Sequence, residues 1–144
     1  MNILVINGPN INMLGIREPG IYGKSTFQDL LALIQQTAQE EDLDISQFQS
    51  NHEGAIVGKI QECYGKVDGI VINPAAYTHT SMAILDALKS VSIPAVEVHI
   101  SDVDAREPFR QISYAGRACV HTIKGQGLDG YRQAILYLKQ NYGK

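Results

Sequence analysis

Ile3-Leu4-Val5-Ile6-Asn7-Gly8-Pro9-Asn10 is the stretch of sequence that decides the fold of this chain. Its first four residues are apolar and mostly β-branched, which predicts a short strand, and the turn-forming residues after them predict where that strand ends. A strand that is apolar along its whole length is typical of a parallel sheet with both faces covered.

The rest of the chain alternates between similar apolar runs and apolar residues at helical spacing. Ser25 and Gln28 resemble a capping box at the start of a first helix, and Thr80 or Ser81 is expected to cap a later one. The other expected elements are strands over 43–49, 70–72, 95–100 and 119–123, helices over 53–64 and 128–142, and a helical turn over 107–111.

Five strands that alternate with helices predict a single α/β domain over residues 1–144. We expect a flavodoxin-like, three-layer sandwich built on a five-stranded parallel sheet. The expected strand order is 2-1-3-4-5, by analogy with other five-stranded sheets of this class.

Charge and cysteine content narrow the classes of partner. The formal net charge of −3 argues against nucleic acid, because phosphate binding needs a basic surface. No apolar run is long enough to cross a bilayer and the first residues lack a basic leader, so we expect a cytoplasmic protein with no membrane partner. Cys63 and Cys119 fit neither a disulfide framework nor a zinc pattern.

Polar residues are concentrated where the predicted strands end. Ligands of open parallel sheets bind outside the carboxyl ends of the strands, so these residues are candidates for a binding site. Solvated turn residues would also be common at such an edge. The candidates are Asn7, Gly8, Asn10, Asn73, Glu97, His99 and Ser101.

Glu97 and His99 are two residues apart on one predicted strand and therefore share a face of the sheet. A buried carboxylate beside an imidazole favours the protonated imidazole, which is what a general acid near neutral pH requires. A purely structural pair of glutamate and histidine is the alternative.

The segment from Leu14 to Lys24 contains Arg17, Tyr22 and several glycines and lacks the periodicity of a core element. A long loop after the first strand often acts as a lid. A guanidinium beside a phenol stabilises the phenolate, which is a competent base for a proton next to a ketone. An ordinary solvated loop is the alternative.

Several other polar residues have two possible roles. Asn73 before a proline could simply begin a turn, and the segment 78–80 could be an N-cap or an anion site. Arg106 and Arg110 could face substrate or solvent, and Asp86 alone is interpreted as a solvated acid. The sequence lacks G-x-G-x-x-G, P-loop, H-E-x-x-H and G-x-S-x-G motifs, so we expect a cofactor-free site.

Taken together, these residues resemble the type II 3-dehydroquinate dehydratases over nearly the whole chain. The resemblance rests on motifs that are weak singly and specific as an ordered set. They are the segments 7–10, 14–19, 22–23, 49–54, 73–74, 76–81, 97–101, 105–107, 109–110 and 113–114.

The resemblance implies a single catalytic domain that eliminates water from 3-dehydroquinate through an enolate. Tyr22 would be the base, held as phenolate by Arg17, and His99, oriented by Glu97, would protonate the departing hydroxyl. Asn10 would hold a water that stabilises the enolate. The implied substrate-binding residues are Asn73, His79, Asp86, Ile100, Ser101 and Arg110.

The resemblance also implies a metal-free site and a homo-dodecamer built from four trimers. Asp86 would reach the site of a neighbouring subunit within a trimer. The reaction would serve either aromatic amino acid biosynthesis in the shikimate pathway or the breakdown of quinate.

Two residues depart from the family pattern. Asp102 stands where asparagine is usual, and its charge would repel a substrate carboxylate unless it points away or is paired. Ala75 stands where glycine is usual, which suggests a tolerant backbone. The alternative functions are a flavodoxin-like module that binds a mononucleotide or acts as a switch, and a catalytically silent scaffold.

Overall fold

The computed structural model describes residues 1–16, 20 and 25–143. Its strands are β1 (Asn2–Asn7), β2 (Asp44–Gln49), β3 (Gly69–Asn73), β4 (Ala95–His99) and β5 (His121–Lys124). Its α-helices are α1 (Phe27–Glu41), α2 (Glu53–Glu62), α3 (Met82–Val91) and α4 (Asp129–Tyr142). Short 3-10 turns span Ile11–Met13, Ala75–His79, Val103–Ala105, Pro108–Arg110 and Ala115–Ala118.

The five strands form one parallel sheet in the order β2-β1-β3-β4-β5, which confirms the predicted topology. β1 pairs with β2 on one side and with β3 on the other, and this register sets Asn7 beside Asn73. The polar ends of β1 and β3 therefore meet at the same edge of the sheet.

Helices cover both faces of the sheet, so alternate residues of each central strand enter different cores. Ile3 and Val5 pack with residues of α1 and α4, whereas Leu4 and Ile6 pack with residues of α2 and α3. Burial of each such aliphatic side chain contributes roughly 1.5–3 kcal/mol. This two-sided burial explains why β1 is continuously apolar.

The first helix begins one residue later than the sequence suggested, and the Ser25–Gln28 capping box is wrong. Thr26 is the N-cap: its hydroxyl accepts the backbone N–H of Asp29 at 3.1 Å, and the Asp29 carboxylate accepts the N–H of Thr26 at 2.9 Å. At α3 the N-cap is Ser81, whose hydroxyl accepts the N–H of Ile84.

The last strand also begins later than predicted, at His121 rather than Cys119. The Cys119 N–H donates to the carbonyl of Gly116 and so closes the preceding 3-10 turn instead of joining the sheet. The second helix is shorter than predicted because it ends at Glu62, and Gly65 adopts a left-handed conformation just beyond it.

Candidate functional site

A cleft with an open volume of about 490 Å³ lies at the carboxyl ends of β1, β3 and β4. The residues that line it are Pro9, Asn10, Ile11, Asn73, Ala75, Ala76, His79, His99, Ile100, Ser101, Val103, Arg106 and Arg110.

Seven of the residues that the sequence proposed for the site line this one cleft. They come from four separate segments of the chain, which the parallel sheet brings to one edge. They are Asn10, Asn73, His79, His99, Ile100, Ser101 and Arg110.

Two of the proposed residues that the structure describes, Glu97 and Asp86, are not among those lining the cleft. Asp86 is exposed on α3. Arg17 and Tyr22, with most of the loop predicted as a lid, lie outside the described residues.

Glu97 and His99 form a buried ion pair, with 3.0 Å between Glu97 Oε2 and His99 Nε2. The two residues are 1% and 6% exposed. Because Nε2 faces the carboxylate, Nδ1 is the imidazole nitrogen that can exchange a proton with a ligand.

Two hydroxyl groups complete the surroundings of the Glu97 carboxylate. Ser113 donates to Oε2 in a very short hydrogen bond, and Thr122 donates to Oε1 at 2.9 Å. Gly116 leaves the space for this arrangement, since a Cβ there would lie 2.7 Å from Glu97 Oε1. Burial alone would raise the pKa of Glu97, but the hydrogen bonds from His99, Ser113 and Thr122 outweigh it and hold the pKa below its ordinary value.

Two arginines give the cleft a positive charge despite the negative net charge of the chain. Arg106 and Arg110 both line it. Arg110 Nε donates to Glu107 Oε2 at 2.6 Å, and Arg106 Nε lies 3.9 Å from the same oxygen. The pKa of Glu107 lies below its ordinary value because it accepts hydrogen bonds from its own backbone and from Arg110. The cleft therefore suits a small carboxylate ligand.

His79 ends the 3-10 turn that follows β3, and its orientation is fixed by a backbone carbonyl from a later segment of the chain. Its Nδ1 lies 2.8 Å from the carbonyl oxygen of Ile112. A carbonyl only accepts, so Nδ1 carries the proton and Nε2 is left for a ligand. In the neutral ring, Nε2 can accept a hydrogen bond from a ligand hydroxyl.

The turn after β1 is fixed by the ends of the two neighbouring strands. Asn10 has a left-handed backbone (φ 69°), and its N–H donates to Asn51 Oδ1 at 3.1 Å. Gln49 Nε2 donates to the Gly8 carbonyl at 3.2 Å. A Cβ on Gly8 would lie 2.5 Å from the carbonyl oxygen of Pro74, so only glycine allows the turns after β1 and β3 to approach this closely.

Ile100 and Ser101, in the turn after β4, are held in place through hydrogen bonds to their backbone carbonyl groups. The N–H of Gly127 donates to Ile100 and that of Gly125 donates to Ser101, both at 3.1 Å. The carboxylate of Asp102 accepts the N–H of Asp104 at 3.1 Å and caps the next 3-10 turn. Asp102 thus has a structural partner outside the cleft lining.

Ala75 contradicts the expectation of a tolerant backbone. Its φ is +55°, in the left-handed region, where an L-residue with a Cβ is strained. Its N–H donates to Asn73 Oδ1 at 3.1 Å, which ties this conformation to the cleft.

Sequence reasoning did not identify three residues that support the site through hydrogen bonds to its side chains. Ser113 and Thr122 hold Glu97, and the buried Tyr131 bonds to both Asn7 and Asn73. These contacts join residues 16 to 124 positions apart, so local patterns carry no signal for them.

A larger cleft, of about 950 Å³, lies at the opposite edge of the sheet, where β1 to β3 begin. Glu41, Asp42 and Asp68 line it together with Lys139, whose ammonium group is bonded to Glu41. With three carboxylate side chains against one ammonium side chain, this cleft does not suit an acidic ligand.

Two further observations concern only residues 1–16, 20 and 25–143. No three histidine, cysteine or acidic side chains among them are grouped so that they could hold a metal ion. None of the helices in this part of the chain has the length and apolar character needed to cross a membrane.

A family model described as dehydroquinase class II matches residues 1–139. The chain belongs to the class II dehydroquinase family. This family member is 51% identical over 144 residues to the 3-dehydroquinate dehydratase of Clostridium acetobutylicum, with both chains fully covered. It is 52% identical over 141 residues to the catabolic 3-dehydroquinase of Aspergillus clavatus, covering 98% of this chain and 94% of that one.

Solved structures of class II dehydroquinases share the fold. The crystal structure of type II dehydroquinase from Butyrivibrio crossotus aligns with a TM-score of 0.95 and 55% identity, covering 96% of this chain and 97% of that one. The chain is therefore an enzyme of this family, and the cleft described above is its candidate active site.

Proposed function

We propose that this enzyme eliminates water from 3-dehydroquinate to give 3-dehydroshikimate, by the anti route through an enolate. The observation that carries the proposal is the buried Glu97–His99 pair, which opens onto a cleft lined by arginines, in a chain of the class II dehydroquinase family. Such a cleft combines a proton donor with groups that attract a carboxylate.

In the first step, a base removes a proton from C2 of the substrate and the electron pair moves onto the C3 carbonyl oxygen. We assign Tyr22 as the base, in its phenolate form, and Arg17 as the cation that stabilises the phenolate. Asn10 is assigned to hold the water that hydrogen-bonds to the enolate oxygen. Asn10 lines the cleft, and its left-handed turn is fixed by Asn51.

In the second step, the enolate collapses, the C1 hydroxyl departs and His99 protonates it to water. Glu97 is anionic because its pKa is held below its ordinary value, so it stabilises the imidazolium that donates the proton. The two proton transfers then occur on opposite faces of the ring, as an anti elimination requires.

The remaining cleft residues are assigned to substrate binding. The backbone and hydroxyl of Ile100 and Ser101 would hold the substrate carboxylate, while Asn73, His79 and Arg110 would bind its hydroxyl groups. Support comes from the fixed tautomer of His79, which leaves Nε2 as an acceptor. Arg110 is already bonded to Glu107, so it would share its guanidinium between that carboxylate and the substrate.

We also propose a cytoplasmic homo-dodecamer made of four trimers, in which Asp86 reaches the active site of a neighbouring subunit. Asp86 is exposed on α3 and does not line the cleft of its own chain, so a contact with substrate would need a second copy.

The proposal is tested by following the ultraviolet absorbance of the conjugated product with purified protein and 3-dehydroquinate. Tyr22→Phe should lower kcat by at least about 10²-fold and change substrate affinity little, because a general base contributes roughly 10²–10⁴-fold. The matched control is Tyr64→Phe, which alters a tyrosine that is 71% exposed and should retain full turnover.

Normal turnover by Tyr22→Phe would end the assignment of the base. Loss of wild-type activity with a metal chelator would end the proposal that side chains alone carry the reaction. An inactive wild-type protein, folded and assembled, would end the proposed substrate.

A further inference from the structure

Tyr131 is a polar residue in the middle of an otherwise apolar core. It belongs to α4, is fully buried, and its ring packs within the cluster formed by α1, α4 and the sheet. A phenylalanine would fill this space without the cost of burying a hydroxyl. The hydroxyl therefore calls for an explanation in the hydrogen bonds that it makes.

That hydroxyl bridges the ends of the two central strands. It accepts a hydrogen bond from Asn73 Nδ2 at 2.9 Å and donates one to Asn7 Oδ1 at 2.5 Å. Asn7 and Asn73 are register partners on β1 and β3 and are 1% and 3% exposed. Asn73 also lines the cleft.

The direction of each hydrogen bond is fixed by a backbone group. The N–H of Ala75 can only donate, so the atom of Asn73 that it contacts, at 3.1 Å, must be Oδ1. Nδ2 of Asn73 therefore donates to Tyr131, and the phenol's own proton goes to Asn7. One N–H of the Asn73 amide is then used inside the protein, and the other has no partner among the described residues, so it can serve a ligand.

We propose that the Tyr131 hydroxyl is a positioning group for Asn73, holding its amide so that a donor faces a hydroxyl group of the substrate. This inference rests on the proposed function, in which Asn73 binds substrate. Tyr131 itself does not line the cleft and acts only through the amide.

The phenol is suited to orienting an amide and not to moving protons. Burial raises its pKa well above the ordinary value of 10, so the group is neutral near physiological pH. A neutral phenol can accept from Asn73 and donate to Asn7 at the same time.

The test is Tyr131→Phe, which removes one oxygen atom and leaves the ring. Asn73 should bind substrate and transition state alike, so KM is expected to rise about tenfold, the value of one hydrogen bond, while kcat stays within about twofold. The matched control is Tyr137→Phe on the same helix, whose ring stacks on His121 and whose KM should not change.

A double-mutant cycle separates positioning from a general effect on the fold. In an Asn73→Ala background, Tyr131→Phe should change KM by less than about twofold, because the group it positions is gone. A tenfold rise that persists in this background would overturn the proposal, and so would a folded Tyr131→Phe whose KM equals that of the wild type.

Two other outcomes are also decisive. If Tyr131→Phe does not fold, Asn7→Ala replaces it: this variant lets the hydroxyl rotate, so KM should rise at least about threefold, and an unchanged KM would overturn the proposal. A wild-type protein with no turnover of 3-dehydroquinate would refute the proposed function instead, before any variant is compared.

Discussion

Replacing Thr122 by valine removes one donor from the carboxylate on which the site is built. Thr122 is the register partner of Glu97 on β5, and its hydroxyl donates to Glu97 Oε1 at 2.9 Å. Valine has nearly the same shape and an equal preference for strands, so the change isolates the hydrogen bond.

The magnitude follows from the charge and burial of the acceptor. A hydrogen bond to a charged group contributes about 1.5–3 kcal/mol, and the lower end applies because Thr122 is itself exposed. Losing this donor destabilises the carboxylate form of Glu97, so its pKa should rise in Thr122→Val.

The sign of the pH dependence follows from the lowered pKa. Ionised Glu97 stabilises the fold above its ordinary pKa of 4.5, and this stabilisation is lost as the pH falls through the lower pKa of the folded state. In both proteins the loss begins near the unfolded pKa, but in Thr122→Val it should be complete at a higher pH, because the folded-state pKa of Glu97 is higher. The two proteins should therefore differ by about 1.5 kcal/mol at pH 7, and the difference should shrink as both carboxyls become protonated.

Urea unfolding between pH 7.5 and pH 3.5 measures this difference directly. Thr122→Ser is the matched control, because it keeps the hydroxyl and should keep the wild-type pH dependence. A constant difference across the whole range would refute the reasoning, since it would mean that the hydroxyl acts without regard to the charge of Glu97.

Two further substitutions test the residues that depart from the family pattern. Ala75→Gly should stabilise the protein by about 0.5–1 kcal/mol in urea unfolding. Glycine removes the strain of a left-handed alanine, about 1–2 kcal/mol, but part of this gain is lost because glycine has more conformational freedom in the unfolded chain. Ala76→Gly is the control and should destabilise the protein, and a destabilised Ala75→Gly would contradict the inference of strain. Asp102→Asn keeps an oxygen that can accept the N–H of Asp104 but removes a negative charge beside Ser101. The KM for 3-dehydroquinate should therefore fall about two- to fivefold at low salt and by less at high salt, where charges are screened. An unchanged KM at low salt would show that the charge of Asp102 is already neutralised.

The sequence predicted only those residues of the candidate site that are assigned a direct role in binding or catalysis. Asn73, Glu97 and His99 could be found because a parallel sheet gathers its strand ends, and period-two spacing puts Glu97 and His99 on one face. Their supporting hydroxyls could not be found in this way, because Ser113, Thr122 and Tyr131 are separated from their partners by long stretches of chain.

By itself, the sequence determined the alternation of strands and helices, the two-sided burial of β1 and the edge at which the polar residues meet. These properties depend on the periodicity of neighbouring residues, which is a local quantity. The boundaries of the capping box and of β5 were misjudged because several nearby residues could satisfy the same pattern, and only the hydrogen bonds chose between them.

Only the tertiary structure decided the states of individual groups. It set the depressed pKa of Glu97, the tautomer of His79, the strained φ of Ala75 and the fixed amide of Asn73. Each depends on atoms from distant segments that meet only when the chain is folded. A proton or an amide is held in one state by the donors, acceptors and buried surroundings around it, and the sequence does not specify these until packing brings them together.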